Sequence, residues 1–173
     1  TSTTQMLAVG DALALTVLKE RGFTREQFAA FHPGGALGRS LVRVEEVMRT
    51  GDANVTVPPH ATVMEVISAI GEVPNSKGRA GAACVVESDG RLAGFFSLGD
   101  LRRKLQQYKG DLLAMPISSV MTTSPATILV GSLAVEASRI LAARKFDELP
   151  VVDADGMLAG LIDVQDLLEL GFM

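Results

Sequence analysis

Apolar and polar positions along the chain fall into two copies of one pattern. In the first copy, Val55-Thr56-Val57 is a short strand before Pro58-Pro59. Thr62-x-x-Glu65 then caps a helix with Val63, Val66, Ile67 and Ile70 on one face, at i, i+3, i+4 and i+7. Ala82 to Glu87 is a nearly continuous apolar run, Ser88-Asp89-Gly90 is a hairpin turn, and Arg91 to Phe96 is the returning strand. Ser97 starts a helix that runs to about Tyr108, and Gly110 to Pro116 is a linker. The second copy keeps this order. Thr127 to Val130 is a strand, and Ser132 opens a helix with Leu133, Ala137, Ile140 and Leu141 inward. Leu149 to Val152 and Met157 to Ile162 are hairpin strands around Asp155-Gly156, and Asp163 opens the last helix.

The clearest repeated stretch is Gly94-Phe95-Phe96-Ser97-Leu98-Gly99-Asp100-Leu101 against Gly160-Leu161-Ile162-Asp163-Val164-Gln165-Asp166-Leu167, 66 residues apart. Val44-Glu45-Glu46-Val47-Met48 matches Ile117-Ser118-Ser119-Val120-Met121 at an offset of 73. The difference places a longer helix-to-strand loop in the first copy, Gly71 to Gly81, which carries Lys77 and Arg79. Each unit reads strand–helix–strand–strand–helix. One copy cannot close a core, whereas two related by a pseudo-twofold can.

Residues ahead of Val44 follow a different pattern. Ser2-x-x-Gln5 is a capping box, and Met6 to Glu20 is apolar on nearly every face, as in a buried helix. Gly22 ends that helix. Thr24-x-x-Gln27 opens a second helix with Phe28 and Phe31 on one side. It stops near His32, because Pro33 disfavours helical dihedrals in the residue before it. Two such helices are too little to bury these faces alone, so they read as the end of a larger domain and the chain as a fragment.

Composition narrows the function classes. With 47% apolar and 21% charged residues the chain is a well-cored globular protein rather than a disordered one. A net charge of -4 argues against a broad nucleic-acid surface and leaves room for a local cationic pocket. No apolar run approaches the ~20 residues of a membrane span, and no signal peptide is visible. The one cysteine, Cys84, lies within an apolar strand and reads as a core residue of a protein in a reducing, cytoplasmic compartment.

Chemistry concentrates where strands run into helices. Ser97-x-x-Asp100 and Asp163-x-x-Asp166 are both capping patterns. The same geometry suits a ligand, since a helix N-terminus collects unpaired amides and the positive end of the helix dipole, which favours phosphate. A neighbouring hydroxyl would join the phosphate, and a carboxylate three residues on would accept from ribose hydroxyls. The two readings are compatible. Arg102 and Arg103, on the helix after Asp100, read equally as a solvated face or as contacts to an anion. His32 by itself reads as a loop histidine, and His60 after Pro58-Pro59 as an exposed one.

The Gly-apolar-apolar-Ser-x-x-Asp signature, Leu149-Pro150-Val151-Val152-Asp153 and the Val-Met element before each copy resemble a pair of cystathionine-β-synthase (CBS) motifs over about residues 44–170. The resemblance implies an α/β (α+β) fold, β-α-β-β-α twice about a pseudo-twofold. It also implies a regulatory disc that binds adenosyl or other nucleotide ligands between motifs. Carried over by position, Ser97 and Asp100 would hold phosphate and ribose, and Phe95 would line the base pocket. Thr122, Ala126, Phe146 and Asp147 would supply walls from the opposite motif. Asp163 replaces the hydroxyl residue in the second motif, and a carboxylate there repels phosphate, so that site is expected to be weak or empty.

Gly10-Asp11-Ala12-Leu13-Ala14, Arg21-Gly22-Phe23 and Phe31-His32-Pro33-Gly34-Gly35-Ala36-Leu37-Gly38-Arg39 resemble the end of a sugar-isomerase (SIS) domain. Followed by a CBS pair with Gly99-Asp100-Leu101-Arg102-Arg103, the whole chain is similar to the D-arabinose-5-phosphate isomerase family. That family interconverts D-ribulose 5-phosphate and D-arabinose 5-phosphate on the way to Kdo and lipopolysaccharide. The resemblance implies a SIS tail at 1–43, CBS motifs at 44–109 and 117–173, and a linker at 110–116. It assigns His32 to the active site, for ring opening or proton transfer through an enediol. No metal and no required cofactor are implied. The implied partners are a sugar phosphate for the full-length protein, a nucleotide (AMP or ATP) or the nucleotide-sugar CMP-Kdo at the first motif, and further copies in a dimer or tetramer. Neither nucleic acid nor membrane is expected. One departure is Leu98, where the family commonly has Asp in Thr-Asp-Gly-Asp; it removes a carboxylate from the ligand rim. The alternatives are a non-catalytic CBS adenine-nucleotide sensor or oligomerisation module, and a paralogous isomerase of sugar-alcohol metabolism.

Overall fold

The computed structural model describes residues 2–24, 27–28, 36–73, 81–108 and 110–172. Internal contacts divide the chain between Leu41 and Val42 into two units. His32, Lys77 and Arg79 lie outside the described residues.

In the first unit, helix α1 spans Ser2–Glu20 and α2 spans Ala36–Ser40. Gly22 terminates α1 in the left-handed conformation (φ 60°), which a residue without a Cβ adopts readily. The Thr24–Gln27 box forms: the Gln27 amide donates to Thr24 Oγ1 at 3.3 Å, and the Thr24 amide to Gln27 Oε1 at 2.9 Å. The expectation of a buried α1 is not met within this unit. None of its residues is buried, and Met6, Leu7 and Val9 are each 68% exposed. The pattern described the helix's surface correctly, but a unit of 41 residues offers too little second layer to cover it.

The second unit contains the two copies. In the first, β1 (Thr56–Val57), α3 (Val63–Glu72), β2 (Ala82–Val86), β3 (Leu92–Ser97) and α4 (Leu98–Gln107) follow in order. The second has β4 (Ile128–Leu129), α5 (Ala134–Arg144), β5 (Glu148–Val152), β6 (Leu158–Asp163) and α6 (Val164–Glu169). Each copy makes a three-stranded sheet with one parallel and one antiparallel pairing. Both antiparallel pairs shift register at equivalent places, Val85/Val86 and Val151/Val152. Strands and helices thus form close to where the pattern predicts, with two differences. Leu112–Ala114, in the expected linker, is a 3-10 turn whose Leu112 is buried in the first core. Helix α5 starts at Ala134 and not at Ser132; the Leu133 amide donates to Glu136 Oε2 at 3.2 Å, with no side-chain cap from Ser132.

The copies exchange their leading segments. Ile117 and Val120, which precede the second copy, are buried in the core of the first with Val63, Val85 and Phe96. Val44, which precedes the first, is buried in the core of the second with Leu141, Leu149 and Ile162. Burying one such side chain contributes about 1.5–3 kcal/mol, and each copy needs the other's segment to gain it. Backbone pairing secures the exchange. Phe95 and Thr122 exchange both hydrogen bonds at 2.9 Å, and Arg49 and Leu161 do so at 2.7 and 3.0 Å. The approach is so close that a Cβ on Gly94 would lie 2.9 Å from the Thr122 carbonyl oxygen. On Gly160 it would lie 2.8 Å from that of Arg49. The hairpin tips also pair, through Leu92 N to Gly156 O and Leu158 N to Gly90 O, both 3.1 Å.

Arg49 ends the first exchanged segment and is only 8% exposed. Its Nη1 lies 3.0 Å from Asp163 Oδ2, while Nε and Nη2 donate to the two oxygens of Asp166 at 2.7 and 3.0 Å. Burial opposes its charge, but Asp166 and Asp163 more than compensate and hold the guanidinium pKa above its usual value.

Three substitutions test the packing of this unit. Gly160→Ala should lose about 1–3 kcal/mol in urea denaturation, because the new methyl meets backbone that cannot yield. Gly71→Ala, in α3 with nothing within 4 Å of the added Cβ, should gain about 0.5–1 kcal/mol in the same measurement. Arg49→Met should cost about 3–5 kcal/mol at neutral pH by leaving Asp163 uncompensated. That loss should shrink on acidification through the carboxylate range; a loss independent of pH would contradict the ion-pair origin.

Candidate ligand-binding cleft

The start of α4 is fixed by a complete reciprocal cap. Ser97 is extended (φ -106°, ψ 162°); its Oγ accepts from the Asp100 amide at 3.1 Å and donates to Asp100 Oδ2 at 2.9 Å. The Ser97 amide donates to the same Oδ2 at 2.9 Å, and Arg103 is ion-paired with Oδ1. Asp100 therefore enters the site with most of its ~four acceptor positions occupied. Leu98 donates its amide to the Gly81 carbonyl at 2.8 Å. Two first-turn amides, those of Leu98 and Asp100, are thereby already satisfied.

Beside this turn lies a cleft of about 530 Å³, a size suited to a small organic ligand. The seven residues singled out from the sequence all line it: Phe95, Ser97 and Asp100 on the first copy's side, and Thr122, Ala126, Phe146 and Asp147 opposite. Sequence separation hides this grouping, and the exchange creates it. The Phe95–Thr122 pairing brings the start of the second copy against β3, and residues of the α5–β5 turn form the opposite wall. That turn is tight because Lys145 adopts the left-handed conformation (φ 56°, ψ 45°), uncommon for a residue with a Cβ. It closes the helix as an αL cap, with the Phe146 amide donating to the Leu141 carbonyl at 3.1 Å.

The sequence reading did not single out Arg144, Lys145 or Glu148, which also line the cleft. Their neighbours Phe146 and Asp147 were placed there by position in the family, and the same step extended by two residues would have reached them. Arg102, left open between solvent and ligand, lines the cleft as well. Arg102, Arg144 and Lys145 are exposed cations on its rim, and Phe95 and Phe146 supply two aromatic rings. Glu148 is half-buried, and its carboxyl is pushed up to about 7, by burial first and then by Asp163 and Asp147. This assembly can take a planar group between apolar walls and an anion at the rim. Leu98 is 42% exposed on the same edge.

The equivalent place in the second copy is built differently. Asp163 stands where the first copy has Ser97, and Arg49 precedes Thr122 by the repeat offset of 73. Asp163 accepts from the Gln165 amide at 2.8 Å, and Asp166 turns to Arg49 instead of closing a reciprocal box. At this place one guanidinium lies between two carboxylates and offsets part of their charge, which the expectation of a weak second site took as uncompensated. Its polar groups are already bonded to one another.

Cys84 is fully buried and its thiol is pushed up to about 12 by burial, in keeping with a core role. His60 is exposed on a shallow groove with Pro58 and Pro59. No helix among the described residues is long and apolar enough to cross a membrane.

Comparison with known proteins bears on this geometry. Residues 44–107 and 117–172 match the CBS domain family. Arabinose 5-phosphate isomerase KdsD of Pseudomonas aeruginosa is 42% identical over 99% of this chain and 51% of its own length. Arabinose 5-phosphate isomerase GutQ of Escherichia coli K12 is 39% identical over 99% of this chain and 52% of its own. The chain spans about half the length of the curated relatives it matches. Among solved structures, a CBS domain protein from Pyrobaculum aerophilum complexed with AMP superposes with a TM-score of 0.61 at 26% identity, covering 76% of this chain and all of that one. Two matched segments, each folded as a three-stranded sheet with its helices and each completed by the other's leading segment, make this chain a member of the CBS domain family, carrying the domain as a tandem pair.

Proposed function

We propose that the chain is the regulatory half of an arabinose-5-phosphate isomerase, whose CBS pair binds a phosphate-bearing nucleotide or nucleotide-sugar in the cleft of the first copy. The observation that carries this reading is the single cleft in which the Ser97–Asp100 turn faces Phe95, Phe146 and a rim of Arg102, Arg144 and Lys145. The rings would hold a base, where stacking contributes about 1–3 kcal/mol. The cations and the helix start would hold phosphate, and Asp100's remaining acceptor capacity would meet a ribose hydroxyl. The curated relatives, matched along nearly the whole chain, support the isomerase as parent. In that parent His32 would serve ring opening or proton transfer on a sugar phosphate, and D-ribulose 5-phosphate would be the ketose partner of the reaction. CMP-Kdo, the activated product of the biosynthetic route, suits the cleft by chemistry and would make the fusion a feedback device. Assembly into a dimer or tetramer and a cytoplasmic setting belong to the same proposal.

A second reading, an adenine-nucleotide sensor, is favoured by the AMP complex of the Pyrobaculum aerophilum protein. A paralogue serving sugar-alcohol metabolism would share every feature of the cleft.

Titration calorimetry with AMP, ATP and CMP-Kdo separates the first two readings. Tighter binding of CMP-Kdo supports feedback on biosynthesis, and tighter binding of AMP or ATP supports the sensor. Asp100→Ala should weaken whichever ligand binds by about tenfold or more, as expected for losing a charged hydrogen-bond acceptor; undiminished binding would remove the site from this cleft. These 173 residues alone should not interconvert D-ribulose 5-phosphate and D-arabinose 5-phosphate, and measurable turnover would overturn the division of roles.

A further inference from the structure

Of the carboxyls that line the cleft, the proposed chemistry uses Asp100 and leaves Asp147 and the half-buried Glu148 without a role. Glu148 opens β5 on the cleft wall and takes no part in the hydrogen bonds and ion pairs that hold Asp100, Asp163 and Asp166. Its Oε1 lies directly against the Cα of Gly81, where any Cβ would collide with it. Gly81 in turn accepts the Leu98 amide at 2.8 Å. Glu148 is thus one residue removed from the helix start that would receive a phosphate, and on the same cleft surface.

The charged and titratable groups around it are mostly acidic. Asp163 lies opposite on β6, Asp147 precedes it, Asp100 faces it from α4, and the buried Cys84 thiol lies on β2. Arg49, on the exchanged segment, is the cation that acts on it and is itself committed to Asp163 and Asp166. Arg102, Arg144 and Lys145 stand farther out, exposed on the rim. An ionised Glu148 would place a negative charge at the inner end of a site built to take an anion.

We infer that Glu148 is a further ligand-selecting residue of this cleft, which admits phosphate-bearing ligands when its carboxyl is protonated and opposes them when it is ionised. This rests on the nucleotide reading above. The carboxyl titrates near pH 7, so the protonated fraction falls about tenfold between about pH 6 and about pH 8. Anion affinity should follow it, and binding at neutral pH should take up a proton.

The test is calorimetry with AMP on the wild-type chain, Glu148→Gln and Glu148→Ala at both pH values. AMP's own phosphate titrates near pH 6, so the readout is the affinity ratio of variant to wild type at each pH. Both variants should bind about as wild type does at pH 6 and about tenfold more tightly at pH 8. A ratio that does not change with pH would overturn the inference while leaving the nucleotide site standing. If AMP does not bind, the same ratio is read with ATP or CMP-Kdo, and failure of all three proteins to bind any of the three ligands at either pH would remove the nucleotide reading and this inference with it. Unliganded stability gives an independent check. A carboxyl raised from 4.5 to about 7 on folding loses stability for the protein as pH rises through that window. Glu148→Gln should therefore melt above wild type at about pH 8, and the difference should shrink on acidification and close below 4.5. Equal melting temperatures throughout would also overturn the assignment.

Discussion

The structure of the second unit depends on the reciprocal exchange of leading segments. Neither sheet of three strands has a complete apolar cover of its own: Ile117 and Val120 cover the first core and Val44 the second. The exchange is possible because two backbone crossings, Thr122 over Gly94 and Arg49 over Gly160, have no side chain between them. Removing either glycine's freedom would separate the copies at the point where their cores are shared. The same crossings create the cleft, since a wall from one copy faces a helix start from the other only when the copies are locked together this way.

Within this symmetric frame, one pair of positions breaks the equivalence. Thr122 and Arg49 occupy corresponding places, and they meet corresponding helix starts. Thr122 is small and neutral, so the Ser97–Asp100 turn opens onto space. Arg49 is long and charged, and its guanidinium draws Asp163 and Asp166 into a buried ion cluster. A buried cluster of this kind stabilises little in net terms, because desolvation offsets most of the attraction, but it determines which polar groups are available. The first copy's helix start is capped but borders an open cleft, whereas the second's carboxylates are tied to Arg49.

The cleft itself is electrostatically graded. Exposed cations lie at its rim, a capped and ion-paired Asp100 at its side, and a half-buried carboxyl at its inner end. Few charges around Glu148 are positive, and burial alone favours its neutral form.

Much of this was legible in the sequence. The alternation of strand and helix, the two hairpins around Asp-Gly, and the Ser97–Asp100 cap are local, and local periodicity and capping chemistry determine them. The repeat offsets determined that the unit occurs twice, and the resemblance to CBS motifs, not the repeat itself, pointed to the seven residues that line the cleft. The burial of α1 was not decided by its own pattern, because burial belongs to a partner surface and not to the helix. Nor could Arg49 and Asp163 be paired from the chain, since 114 residues separate them and only the crossing over Gly160 brings them to 3.0 Å. Glu148 was hidden for the same reason. In sequence it is one more polar residue before an apolar strand, and its environment is made by Gly81, Asp163 and Arg49, which are near it only in space. The sequence by itself determined the elements and their duplication; the tertiary structure decided which of two equivalent helix starts stays open, because that depends on which side chain crosses over it.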